Sequence, residues 1–203
     1  KMPRLALLLM FVTGNALGMV LGGIPQWRAF MSDAQGAPLL DPMKDADWMI
    51  IMGPSLIDTK NDAVFVHYAT PDATVDKIID TVSRRYVHGG PYDTGVRGVK
   101  GWRAFADNGE RVFLRPRPHV AVIVPASHAR QFAAVLARNP VTPRVHAGEA
   151  FSMRALHPGG SVPAIPQDIR EMRLWIVPNA ADGSGELYAE GDCPDEASAK
   201  TDA

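Results

Sequence analysis

Between Asp62 and Asn139 the spacing of hydrophobic positions switches from a period of two to a helical period and back, and then switches again. In DAVFVHYATPD, residues 62–72, Ala63, Phe65, His67 and Ala69 fall on one side of an extended chain. Val64, Val66 and Tyr68 fall on the other, so both faces read as buried, as in a central strand. TPDATVDKIIDTVSRRY, residues 70–86, then carries Val75, Ile78, Ile79 and Val82 on one helical stripe. Thr70 or Asp72 is placed to cap it, because a side-chain oxygen there can accept from unpaired amides of the first turn. A glycine-rich loop spans 87–99. GWRAFADNGERVFLRP, residues 101–116, predicts a hairpin turning at Asn108-Gly109, a pair that tolerates positive φ. HVAVIVP adds a strand, and ASHARQFAAVLARN a helix with Phe132, Val135 and Leu136 inward.

Outside this region the pattern is coarser. DWMIIMGP is an apolar run of strand length closed by Gly53-Pro54. After an irregular stretch, MRLWIVP and ELYAEGD predict a second hairpin, and DCPDEASAK opens a helix with Asp192 as cap and Pro194 in its first turn. From Asp62 the order is therefore β, α, β, β, β, α, an irregular stretch, then β, β, α. That mixture predicts an α+β fold, largely antiparallel sheets with helices on one face, and ferredoxin-like split β-α-β halves are one way to satisfy it. The expected divisions are residues 1–61 (strand, helix, strand), 62–144 (central α+β unit) and 145–203 (irregular linker, hairpin and the start of a C-terminal helix).

Leu5 to Gly23 is uncharged, and the run without charge extends to Trp27, so a membrane span over residues 5–27 is one reading. Gly14, Gly18 and Gly22 carry the spacing of small residues in packed membrane helices. The other reading breaks the run at Thr13-Gly14-Asn15, giving a strand at Leu5–Val12 and a helix from Asn15 whose stripe continues through Ile24 and Trp27 to Met31. The sequence favours strand plus helix.

Composition changes the picture little. An apolar fraction of 46% and a charged fraction of 21% fit a globular chain able to bury a core, and a net charge of -1 gives no global pull towards nucleic acid or membrane. The single cysteine, Cys193, excludes an internal disulfide. The chain begins with Lys1 and ends in a polar run, which reads as a piece of a longer protein.

Charge distribution is more informative than its sum. Residues 84–144 hold eleven Arg and Lys against three acidic residues, a surplus of eight positive charges. From Asp168 onward, nine acidic residues oppose three basic ones, a surplus of six negative charges. The basic region could meet an anionic ligand; the blander reading is that the two regions compensate each other. Trp102 and Phe105 are the only aromatics that could serve a single-strand platform there, so no nucleic acid is expected.

Catalytic signatures are sparse. Six histidines include no HxH or HExxH pair, and the Asp41, Asp45, Asp47 group lacks the ligand alternation of a calcium loop, so no metal and no cofactor is expected. Ser127-His128 are neighbours at a helix start, which makes no dyad, and no GxSxG elbow occurs. HGGPYDTGVRG is the one stretch with the look of a functional loop. His88, Tyr92, Asp93 and Arg97, with Trp102 just beyond, are the ligand-binding candidates, because glycines let backbone approach a ligand that these side chains could hold. A plain connector is the competing explanation.

The runs IPQWRAFM, LDPMKDADWMIIMGPSL and DAVFVHYA, then ERVFLRPRPHVAVIVP, then RLWIVP and GELYAEGDC, resemble a group of uncharacterised myxobacterial envelope-associated proteins. The likeness is one of spacing and brings no catalytic residues with it. It implies an exported or membrane-tethered binding module with protein or envelope partners, and it favours a strand at Leu5–Val12. The expected function is thus a non-catalytic binding or assembly module of a longer cell-envelope protein, periplasmic or membrane-tethered. The alternatives are an enzyme, for example a hydrolase, using the 88–97 loop, and a membrane-anchored subunit; a cytoplasmic location is also compatible.

Overall fold

The computed structural model describes residues 46–53, 59–106, 109–142, 148–149, 151–157, 166–179, 181 and 184–194. The described residues fall into two compact units, one up to residue 142 and one from residue 148. The opening stretch Leu5–Gly23, the helix expected to Met31 and the helix expected after Pro194 lie outside them. No helix among the described residues is long and apolar enough to cross a membrane.

In the first unit the elements are β1 (Ala46–Met52), β2 (Ala63–Tyr68), α1 (Asp72–Ser83), β3 (Gly90–Pro91), β4 (Lys100–Ala106), β5 (Gly109–Arg117), β6 (Val120–Pro125) and α2 (Ala129–Arg138). The strands form one sheet in the order β1-β2-β6-β5-β4-β3, antiparallel at every step. β1 and β2 share that sheet, so it runs across residue 61, where the sequence suggested a division. The α+β class holds.

The placement of the helices departs from expectation. Strand alternation sets Val112 and Leu114 of β5 on one face and Arg111, Phe113 and Arg115 on the other, and all five are buried. Every residue of β6 is buried as well. Both faces therefore need cover, and a helix pair on one face would leave the other wet. Ala129, Ala133 and Leu136 of α2 pack with Ala63, Phe65, Leu114 and Val122. On the opposite face α1 reaches Trp102 and Arg115, and its Val75, Ile79 and Val82 are fully buried. Burying each of those three side chains stabilises the unit by about 1.5–3 kcal/mol before ordering costs.

Local signals explain most boundaries and correct some. α1 starts after Pro71 with no side-chain cap; the Pro71 carbonyl accepts from the amides of Thr74 and Val75. Asp72, expected as a cap, turns its carboxylate to neighbouring elements. The last pair of the β4–β5 ladder is Ala106 and Gly109, so Gly109, expected in the turn, is already paired as the first residue of β5. Gly109 takes φ 127° there, a conformation that favours glycine. Pro116 offers no N–H, and the β5–β6 ladder is irregular between Leu114 and Arg117. In α2, Leu136 is buried and Phe132 half-buried, but Val135, expected inward, is 49% exposed.

The second unit contains β7 (Phe151–Leu156), β8 (Glu171–Pro178) and β9 (Gly185–Asp192) in an antiparallel meander of that order. The β8–β9 hairpin is the one the sequence predicts. β7 lies in the stretch read as irregular, and Asp192 ends a strand where a helix cap was expected. The two described sheets differ in strand number and order, so paired ferredoxin-like halves are not seen among the described residues.

Candidate functional site

The glycine-rich loop is built into the fold. Gly90-Pro91 pair with Arg103 and Trp102 as an edge strand, and the Tyr92 amide donates to the Gly101 carbonyl at 2.8 Å. Tyr92 is half-buried under the Arg103 guanidinium, 5.3 Å from its ring centre, and packs against the α2-side core. Asp93 accepts from the Gly95 amide at 2.9 Å, a local turn that uses one of its oxygens. Buried Thr94 donates to the Val99 carbonyl at 2.9 Å. His88 and Arg97 are exposed, and His88 sits at φ 65°. Trp102 is buried on the α1 face, its indole N–H donating to Asp80 at 3.2 Å. Tyr92 and Trp102 thus serve opposite faces of one sheet, and the five candidates do not converge.

The structure gathers polar side chains elsewhere, at the end of the sheet where β2 finishes and β6 begins. Arg115, 5% exposed at its side chain, contacts Asp72 at 2.7 Å and Asp76 at 2.9 Å, and donates through Nε to the Val120 carbonyl at 3.0 Å. Its guanidinium lies over the Tyr68 ring, 5.1 Å from the centre. The Tyr68 hydroxyl donates to Asp72 at 3.1 Å, and the His119 amide donates to the same oxygen at 2.9 Å. Burial pushes the Tyr68 hydroxyl far above its ordinary pKa. Burial also works to raise the Asp72 carboxyl, but the His119 amide, the Arg115 guanidinium and the Tyr68 hydroxyl together hold it below the usual carboxylate range.

Two histidines flank this network. His67 Nδ1 lies 2.9 Å from Asp47 Oδ2, and its ring stacks on Trp48 with centres 5.4 Å apart. His119 Nδ1 lies 3.0 Å from the Tyr68 carbonyl oxygen, and the two imidazole centres are 6.1 Å apart. His119 closes the β5–β6 turn with Pro118 at φ 59°. The sequence reading missed this pairing because residues 67 and 119 are far apart in the chain. The signal was the strand reading itself: His67 reads as lying within a central strand and His119 as the start of another, and the β2–β6 register sets His67 opposite Val120, the residue after His119. Among the described residues, no group of three or more His, Cys, Asp and Glu side chains could hold a metal ion.

Part of the basic surplus in 84–144 is met by carboxylates. Arg84 pairs with Asp80, Lys100 with Asp76, Arg103 with Glu110, and Arg115 with Asp72 and Asp76. Three of those acids lie on α1, just before the basic block begins. Arg111 is buried and donates to the Asp62 carbonyl at 2.8 Å; burial lowers its pKa, and Asp62 opposes that. In the second unit, Arg173 lies over Trp175 at 4.5 Å, and Trp175 stacks on Tyr188 at 5.3 Å. Arg173 also pairs with Glu149, and Arg154 pairs with Glu171 at 2.6 Å through Nη2. A shallow depression there is lined by Glu171, Arg173, Glu190, Gly191 and Asp192.

The first unit thus defines an α+β protein built on an antiparallel sheet covered on both faces, with a tied polar network at one sheet end. Compared with protein-family models, curated proteins and solved structures, the chain matches none.

Proposed function

We propose that this chain is a non-catalytic binding or assembly module of a longer cell-envelope protein. The observation that supports the reading is where the chemistry-bearing side chains go. Arg115, Asp72, Asp76 and Tyr68 engage one another, Trp102 engages Asp80, and Asp93 closes its own turn. These residues hold the sheet and its helices in register, so their chemistry is structural. The envelope setting rests on the resemblance in residue spacing. A protein or envelope component is the partner class, with an anionic ligand at the basic region as a narrower version. Co-sedimentation of the chain with isolated envelope fractions tests the proposal: retention by one fraction is the expected result, and absence from all of them overturns it.

A second reading, an enzyme using the 88–97 loop, draws on one observation: exposed His88 is held at φ 65°, a backbone state that costs energy in a residue other than glycine. Any activity it supports is expected to fall on His88→Ala and Asp93→Ala. Unchanged activity in both variants removes that reading.

A further inference from the structure

We infer that His67 and His119 form a binding site for a nitrogen-seeking divalent transition ion such as Cu2+ or Zn2+. The inference is independent of the proposed function. It starts from the protonation state that the hydrogen bonds impose. A carboxylate oxygen and a backbone carbonyl oxygen only accept, so the Nδ1 atoms of both rings must carry a proton. In each neutral imidazole the lone pair then resides on Nε2. Among the described residues no partner takes either Nε2. A histidine that ligates a metal through one nitrogen almost always donates the other N–H to a carboxylate, a backbone carbonyl or water, and two of these arrangements occur here side by side.

The spacing agrees. Metal–nitrogen bonds of about 2.0–2.1 Å put the centres of two imidazoles on one ion about 5–6.3 Å apart, according to the angle between the bonds. The observed separation is 6.1 Å. The local charge also suits a cation: Asp47, Asp72 and Asp76 outnumber Arg115 and Lys100 in the connected network. With two protein ligands the coordination shell stays open, and water or a donor from a bound partner completes it. Imidazole ligands select Cu2+, Ni2+ and Zn2+ over Mg2+ and Ca2+, which take oxygen.

The test is calorimetric titration of the untagged chain with Cu2+ and Zn2+, and with Mg2+ as the oxygen-seeking control. One saturable site is expected, tighter for Cu2+ than Zn2+, with no Mg2+ binding. His119→Asn keeps a residue that tolerates the positive φ, and it is expected to weaken binding at least about tenfold. Asp47→Asn keeps both imidazoles and removes only the charge behind His67; a loss of about tenfold is expected. His128→Gln, in the turn between the end of β6 and α2, should leave affinity unchanged. If a variant fails to fold, the wild-type chain still decides: substoichiometric Cu2+ should broaden the His67 and His119 ring resonances together. Absence of saturable binding, binding indifferent to His119→Asn, or broadening that spares either ring overturns the inference.

Discussion

Arg115 reaches across from β5 to hold Asp72 at 2.7 Å, and Asp72 is the first residue of α1. The same guanidinium holds Asp76 one turn further on, so one side chain from the sheet fixes the helix at two successive turns. The Asp72 oxygen it holds also accepts from Tyr68 and from the His119 amide. The Asp72 carboxylate is thereby taken up by the sheet and does not cap the helix; the Pro71 carbonyl accepts from the amides of Thr74 and Val75 instead. Replacing Arg115 by Met leaves two aspartates facing a buried apolar group. The expected cost is about 2–4 kcal/mol, less than for a fully buried pair because both carboxylates keep some water. Urea unfolding monitored by circular dichroism measures it.

Asp72 gives this arrangement a pH signature. Its folded-state pKa lies below the ordinary carboxylate value, so the unfolded chain takes up the proton first as pH falls. The stability Asp72 contributes is complete above the unfolded pKa and is lost as pH drops through the folded one. In Asp72→Asn that contribution is absent at every pH. The melting temperatures of wild type and variant are therefore expected to differ most near neutrality and to converge in acid. A constant gap down to the lowest pH that keeps the protein folded contradicts this account.

Gly89 is a steric requirement. A Cβ built there would lie 1.8 Å from the Ser83 carbonyl oxygen, a backbone atom at the end of α1. Gly89→Ala must push the loop off the helix, at a cost of about 1–3 kcal/mol. Gly95 has no heavy atom within 4 Å of such a Cβ, although its φ of 69° still favours glycine. Thermal melts of Gly89→Ala and Gly95→Asn separate crowding from conformation: the first should fall by several degrees and the second little.

Val135 and Leu136 are neighbours with opposite roles. Leu136 is 6% exposed in the α2-side core and Val135 is 49% exposed. Leu136→Ala is expected to cost about 2–4 kcal/mol, and Val135→Ala at most about 0.5 kcal/mol. Chemical denaturation of the pair checks which face of α2 meets the sheet.

The sequence made the strongly periodic elements legible. The double-sided apolar run of β2, the stripe of α1 and the hairpins β4–β5 and β8–β9 are local patterns, and each is present. Two things escaped for physical reasons. A strand buried on both faces says that both must be covered, but a single strand does not say which helix covers which, and so both helices were assigned to one side. β7 is a six-residue period-two run, Phe-Ser-Met-Arg-Ala-Leu, set in a stretch whose glycines and prolines, Pro158-Gly159-Gly160 among them, make the whole segment read as irregular. The site was less legible still. The 88–97 loop looked functional because glycines were read as access for a ligand. The contacts of Gly89 and Gly101 show close backbone packing instead: a Cβ on Gly101 would lie 2.9 Å from the Tyr92 carbonyl oxygen. The His67–His119 pair exists only once β6 is laid beside β2, which no local spacing can announce.

That placement of β6 beside β2 has a consequence for how the chain is made. β2 leaves the ribosome before β6, with Val64 and Val66 on one face and Phe65 on the other, while that inner neighbour is the last strand of the sheet to be synthesised. Until residue 125 has emerged, β2 can pair only with β1 along one edge, and its other edge stays open to any passing strand. During synthesis there is therefore an interval in which β2 has β1 as its one native strand partner, and it ends when β6 becomes available for the middle of the sheet. Chaperone demand should concentrate in that interval, and a stop anywhere between residues 69 and 119 would release the chain in its most adhesive form.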